Sequence, residues 1–332
     1  MKGNLPSDRV RETLIRREGR TDPQHGYHPE RRPIDLHLRL GCINLDKPSG
    51  PTSHEVAAWV KRILEVENVG HSGTLDPKVT GILPIMIGDS TRVVETLLSA
   101  GKEYICLMRL HATLPRKRIL EACGEFQGEI FQRPPLKSSV KRELRLREVY
   151  YLEVMEIDGP RVLMRVGCEA GTYIRKLCHD IGLALGCGAH MEELRRTRSG
   201  PFREDETLVT LQDLKDGKEI WRETGDETLL RRAVLPVEVA LRHMPKLVVG
   251  DGAVDAICHG APLAAPGVIS LESGIEAGEK LVIYTLKGEA VAVAGAAMRS
   301  EEMISTSSGI VARTSRVLMA PGTYPRLWSK KP

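Results

Sequence analysis

Two segments of the chain, Val149–Ile157 and Arg161–Glu169, read as strands and are separated by Asp158-Gly159. Asp-Gly supplies the positive φ of a tight turn, so the two strands must lie side by side and antiparallel. A second hairpin is read at Lys287-Gly288, between Leu281–Thr285 and Glu289–Ala294. Such pairs exclude a sheet built only of parallel crossovers. Helices lie between the strands. Tyr173–Leu185 carries Ile174, Leu177, Ile181 and Leu185 at helical spacing, with Gly186 as its stop. Thr52 and Glu55 have the spacing of a capping box that opens a helix burying Val56, Val60, Ile63 and Leu64. Cys42–Leu45, Ile82–Ile87 and Tyr104–Leu110 read as further strands. The fold class is therefore α+β, with a mixed, largely antiparallel sheet.

The 332 residues suffice for two domains. Residues 1–34 are polar and rich in Arg, Pro and Gly. They are expected to be an extension that needs a partner surface to order it, with at most a helical patch around Arg9–Arg17. Residues 35–243 form the main domain. Near Pro245 the composition shifts to Gly, Ala and Val in short strands, so residues 244–319 read as a small β-rich domain, followed by a tail of 320–332. Within that domain Asp251 is expected to cap a short helix ending at Gly260.

Composition narrows the function classes. Aromatic residues are 4% of the chain, too few for a broad base-stacking platform. A net charge of +4 says little, because a local basic face matters more than a sum. The seven cysteines include no C-x-x-C pair, which argues against a disulfide framework and for a reducing, cytoplasmic compartment. Cys178-His179 and Cys187…His190 lack zinc-ligand spacing, so no metal is expected. No apolar run reaches membrane-span length, and the Arg-rich N-terminus lacks the apolar core of a signal peptide.

The most informative stretch is Gly70-His71-Ser72-Gly73-Thr74-Leu75-Asp76-Pro77-Lys78-Val79-Thr80-Gly81. It is a glycine-framed loop that presents one carboxylate, Asp76. Pro77 disfavours helical geometry at the residue before it and so holds Asp76 extended. The string resembles the signature of the TruB-type pseudouridine synthases, and Lys78-Val79 resembles the dyskerin branch of that family. The other motifs follow in family order from about Leu40 to Val239. Lys47-Pro48-x-Gly50-x-Thr52-Ser53 resembles the first motif, which supports the catalytic loop. Lys102-Glu103-Tyr104 resembles the motif that sets a Tyr against the target base. Gly171-Thr172-Tyr173-Ile174-Arg175-x-Leu177 resembles the motif whose Arg pairs with the catalytic Asp. Leu194-Arg195-Arg196 resembles the segment where a Leu packs under the base.

The resemblance implies an enzyme that isomerises uridine to pseudouridine in RNA without a cofactor. Asp76 would be the nucleophile or the base that removes the C2′ proton, two readings the residues leave open. Tyr104 and Arg175 would assist it, Leu194 and Tyr173 would line the base pocket, and Lys47, Pro48, His71 and Gly73 would support the loop. The basic, proline-stiffened stretch with Arg133, Lys137, Lys141 and Arg142 resembles the family's thumb loop and suits phosphate contact, as do Arg195 and Arg196 with Arg198 and Arg203. His259–Leu263, Pro266–Val268 and Gly278-Glu279 resemble a PUA domain, an RNA-binding module. The likeness to the archaeal dyskerin branch implies box H/ACA guide RNA, rRNA or tRNA substrate and small H/ACA particle proteins as partners, and no membrane. Two other readings stay open: a guide-independent tRNA uridine-55 synthase, and a non-catalytic RNA-binding scaffold.

Overall fold

The computed structural model describes residues 4–133 and 143–326. These residues form two sheets flanked by helices, an α+β architecture. The larger sheet runs, edge to edge, through Leu208–Val209, Gly41–Lys47, Thr80–Ile87, Ala189–Ser199, Lys102–Leu110, Arg161–Cys168, Arg145–Asp158 and Gly128–Gln132. It is antiparallel except where Leu208–Val209 and Ala189–Ser199 meet their neighbours Gly41–Lys47 and Thr80–Ile87. Both hairpins form as expected: Arg145–Asp158 turns at Gly159 (φ +55°) into Arg161–Cys168, and Lys280–Thr285 turns at Gly288 (φ +83°) into Ala290–Ala296. The Thr52/Glu55 capping box is present and opens the helix Ser53–Leu64, which buries Val56, Val60 and Leu64. Among the described residues no helix is long and apolar enough to cross a membrane.

Packing joins the two sheets. Cys42, Ile82 and Met86 of the larger sheet share one apolar cluster with Tyr284, Ala290 and Val293 of the smaller. A second cluster lies under the site: Tyr104, Cys106 and Met108 pack against Ile174, Leu177 and Ile181 of the helix Ile174–Ala184. The cysteines are free thiols, and all but Cys187 are buried.

The N-terminal extension differs from its expectation. Thr13–Ile15 is a strand, not a helical patch, and pairs antiparallel with Val268–Glu272. The surface that orders it belongs to this same chain. Edge N–H and C=O groups of the small sheet gain partners, and Leu14 reaches the core, which outweighs the local helical tendency. Arg16 then donates to the Ala265 carbonyl (2.5 Å) and to that of Thr306, while Asp8 receives Arg198 and, at 2.7 Å, Arg203. The extension therefore straps the small domain to the large one. Asp251 is also reassigned. Gly250 holds the N-cap position of the helix Asp251–Cys258, and the Asp251 carboxylate instead accepts from Thr21 Oγ1 (3.1 Å) and the Asp22 N–H (2.8 Å).

Candidate active site

The loop that carries Asp76 is held from below. Leu75 and Val79 are 4% and 3% exposed and anchor the loop on the core, leaving the Asp76 side chain, between them, half-exposed. Ser53, at the start of its helix, accepts the Leu75 N–H on its Oγ (2.9 Å) and donates to the Leu75 carbonyl (3.2 Å). Lys47 is fully buried, and its ammonium donates to the carbonyls of Pro48 (2.8 Å), Pro77 (3.0 Å) and Val79 (2.9 Å). Burial holds its pKa below the ordinary lysine value, with nearby Asp76 opposing that shift. One ammonium thus ties the first motif to the backbone just beyond Asp76. Gly81 (φ +99°) has no room for a side chain, because a Cβ would meet the Arg196 carbonyl oxygen at 2.3 Å.

Arg175, in the first turn of the helix Ile174–Ala184, donates through Nη2 to Asp76 Oδ2 across 99 residues of sequence. Both side chains are more than half exposed, so the pair faces solvent. Tyr104 lies beneath, 9% exposed, beside Arg196, and burial pushes its phenol above the ordinary value. Leu194 pairs in register with Cys106 and is half-buried. Tyr173 is the residue before the Arg175 helix and is half-buried. Pro48 is exposed beside the loop. Gly73 (φ +81°) passes Arg196 and Lys102 closely and gives its carbonyl to Arg196 Nη2 (2.9 Å). The His71 ring meets that of His54 edge-on at 4.9 Å, and burial, reinforced by His54 and Arg196, pushes its pKa down, which favours a neutral imidazole.

In the second basic cluster the structure corrects Arg196. Arg196 is 1% exposed and donates to the carbonyls of Ile82 (2.7 Å) and Gly73, so its guanidinium holds the loop and cannot reach a phosphate. Alternation along the strand Ala189–Ser199 turns neighbours to opposite faces. Arg195 accordingly points outward, where Asp46 binds it bidentately (3.0 and 2.9 Å) and Glu204 at 2.5 Å. Arg198 and Arg203 share the single carboxylate of Asp8, and the Arg203 side chain stays more than half exposed. Arg133 is exposed, whereas Lys137, Lys141 and Arg142 lie outside the described residues.

The sequence singles out nothing at Gln132, and places Ser53 and Lys102 within motifs without the contacts they make. Ser53 follows a capping Thr, so its place at a helix start was legible, though its reach to Leu75 was not. Lys102 donates to the carbonyls of Leu97 (2.8 Å) and Ala100 (2.9 Å) and is 4% exposed. Burial, with the Arg196 charge adding to it, pushes its pKa down to about 7, from 10.5. Between those values the unfolded chain binds more protons at this group than the folded one, so the penalty of burying the charge fades as pH rises. The stability of the wild type relative to Lys102→Met is expected to climb from pH 7 toward pH 10, by up to about 1.4 kcal/mol per unit. Urea melts of both proteins across that range check it, and a pH-independent difference would show that the ammonium is not desolvated.

Family models match almost the whole chain. They are the DKCLD (NUC011) domain at residues 3–57, the TruB family pseudouridylate synthase N-terminal domain at 61–174, the tRNA pseudouridylate synthase B C-terminal domain at 175–242 and the PUA domain at 245–318. A probable tRNA pseudouridine synthase B of Methanosarcina barkeri is 57% identical over 330 residues, covering 99% of this chain and 97% of the relative. The Pyrococcus furiosus counterpart is 56% identical over 328 residues, covering 98% and 96%. Among solved structures, the matching chain of a Cbf5-Nop10-Gar1 complex superposes with a TM-score of 0.94 at 56% identity, covering 98% of this chain and 99% of that one. The matching chain of an H/ACA RNP bound to a substrate RNA containing 2′-deoxyuridine gives 0.93 at 54% identity, covering 98% and 100%.

Fold and matches together define a pseudouridine synthase with a C-terminal PUA domain. Within that class the chain belongs to the TruB family, in its dyskerin-type branch.

Proposed function

We propose that this synthase isomerises uridines of rRNA under the direction of a box H/ACA guide RNA, with Asp76 as the reacting carboxylate. The observation that carries the catalytic part is the Asp76–Arg175 pair, exposed at the tip of a loop whose backbone is held from below. In the reaction the N1–C1′ bond of uridine breaks, the uracil turns, and C5 takes the place of N1 at C1′. The proton on C5 is lost and N1 gains one, so atoms balance without an external reagent. Asp76 serves by attacking the sugar or by removing the C2′ proton. Arg175 keeps it aimed, and Tyr104 and Leu194 form the floor on which the flipped base rests. Extruding the base costs a few kcal/mol, which stacking partly returns.

Guide dependence rests on whole-chain likeness to a protein solved within an H/ACA RNP bound to substrate RNA. By the same likeness, small particle proteins of the Nop10 and Gar1 kind are its partners. Residues 35–243 would carry the chemistry and 244–319 would grip the guide. Free cysteines and the RNA substrate fit a cytoplasmic location. A second reading, guide-independent modification of tRNA uridine 55, is favoured by the relatives designated probable tRNA pseudouridine synthase B. Primer extension after carbodiimide treatment separates the two. With purified protein, guide-dependent stops on an rRNA fragment are expected. Full conversion of tRNA, with no guide-dependent stop in rRNA, would select the second reading.

A further inference from the structure

Gln132 ends the strand Gly128–Gln132 at the edge of the large sheet and is 2% exposed. Its side-chain amide does not join the sheet. Oε1 accepts the Tyr173 N–H (2.9 Å) and Nε2 donates to the Tyr173 carbonyl (3.2 Å). One side chain thus satisfies both backbone groups of one residue, as a strand neighbour does in an antiparallel ladder. Tyr173 is the last residue before the helix Ile174–Ala184, and its carbonyl also receives the Leu177 N–H that closes the first helical turn (3.0 Å). Tyr173 makes no side-chain cap of its own there. Arg175, two residues on, holds Asp76.

We infer that Gln132 is a positioning residue for the isomerisation: its amide sets the first helical turn so that Arg175 meets Asp76. The physical need is plain. An ion pair with both partners more than half exposed contributes little to holding two segments together. The orientation of Arg175 must therefore come from its backbone, and the buried amide is what fixes that backbone on the side of the sheet edge. A buried amide left without partners is costly, so the two-point match also selects one rotation of the Tyr173 peptide units.

The inference rests on the catalytic reading of Asp76 and Arg175, and its test keeps the two apart. Gln132→Met keeps the volume and removes both hydrogen bonds. Single-turnover conversion by the full chain with guide and substrate RNA is expected to slow by roughly 10- to 100-fold, the cost of a misplacement on the order of 1 Å. Substrate RNA affinity, read by gel shift, should stay within about twofold, since no base or phosphate contact is removed. Gln132→Asn keeps the amide but is one methylene too short to meet both Tyr173 groups, so its rate should also fall, and it decides the matter if the Met variant does not fold. In an Arg175→Lys background the loss caused by Gln132→Met should shrink to less than about threefold, because residues acting through one another are not additive. A wild-type rate in Gln132→Met, or an undiminished loss in the Arg175→Lys background, overturns the inference. Asp76→Asn is run alongside: turnover in that variant would sink the catalytic reading itself, whereas a dead Asp76→Asn beside a wild-type-like Gln132→Met removes the positioning role alone.

Discussion

Asp76→Asn is expected to leave an RNA-binding protein that does not isomerise uridine. Asn has the same shape but no negative charge, so it neither attacks the sugar nor takes a proton from it. Removal of a reacting nucleophile costs roughly 10⁴-fold or more in turnover. The loop should survive the change. Its anchors are Leu75, Val79, Ser53 and Lys47, and the Asp76 backbone still gives its carbonyl to the Val79 N–H (3.0 Å). The lost ion pair is solvent-exposed, so stability should shift by less than about 1 kcal/mol. Carbodiimide primer extension measures the activity, gel shift the affinity and a thermal melt the fold. Turnover within tenfold of wild type would remove Asp76 from the chemistry.

Lys47→Met should damage stability and activity together. The ammonium serves Pro48, Pro77 and Val79, and an apolar side chain leaves those carbonyls without that donor. The Pro77 carbonyl keeps the Gly50 N–H (2.9 Å) and Pro48 is exposed to water, so the loss falls on the buried Val79 carbonyl, at about 1–3 kcal/mol, part of it offset by relief of the buried charge. A net loss of about 1–2 kcal/mol is therefore expected. Because Pro77 and Val79 lie directly beyond Asp76, the carboxylate loses its placement, and turnover should drop on the order of 100-fold. Denaturant melts and single-turnover rates check both. A variant as stable as wild type would mean that other contacts hold the loop tip.

The contrast between these two residues follows what was legible in the sequence. Asp76 stands out because its neighbours are unusual: glycines free the backbone and Pro77 restrains it. The hairpin at Gly159 and the capping box at Thr52 were equally plain, since a positive φ and a side-chain-to-backbone bond across three residues are local needs. Thr13–Ile15 was misread because its strand exists only where Val268–Glu272 offers an open edge. Arg196 differs from its expectation for a related reason. Arg195 and Arg196 are adjacent and alike in sequence, yet one faces solvent and two carboxylates while the other is sealed in the core.

By itself, the sequence determined the α+β class, the hairpins, the loop that presents Asp76 and, through its motifs, the family. These depend on residues within a few positions of one another, where steric preference and hydrogen-bond reach act directly. The tertiary structure decided which charges meet. It brought Arg175 to Asp76 across 99 residues, Lys47 under the loop, Gln132 to Tyr173 and Asp8 to Arg198. A charged or amide group binds whatever partner the packed chain brings within about 3 Å, and that distance is set by the packing of sheet and helix, not by local sequence.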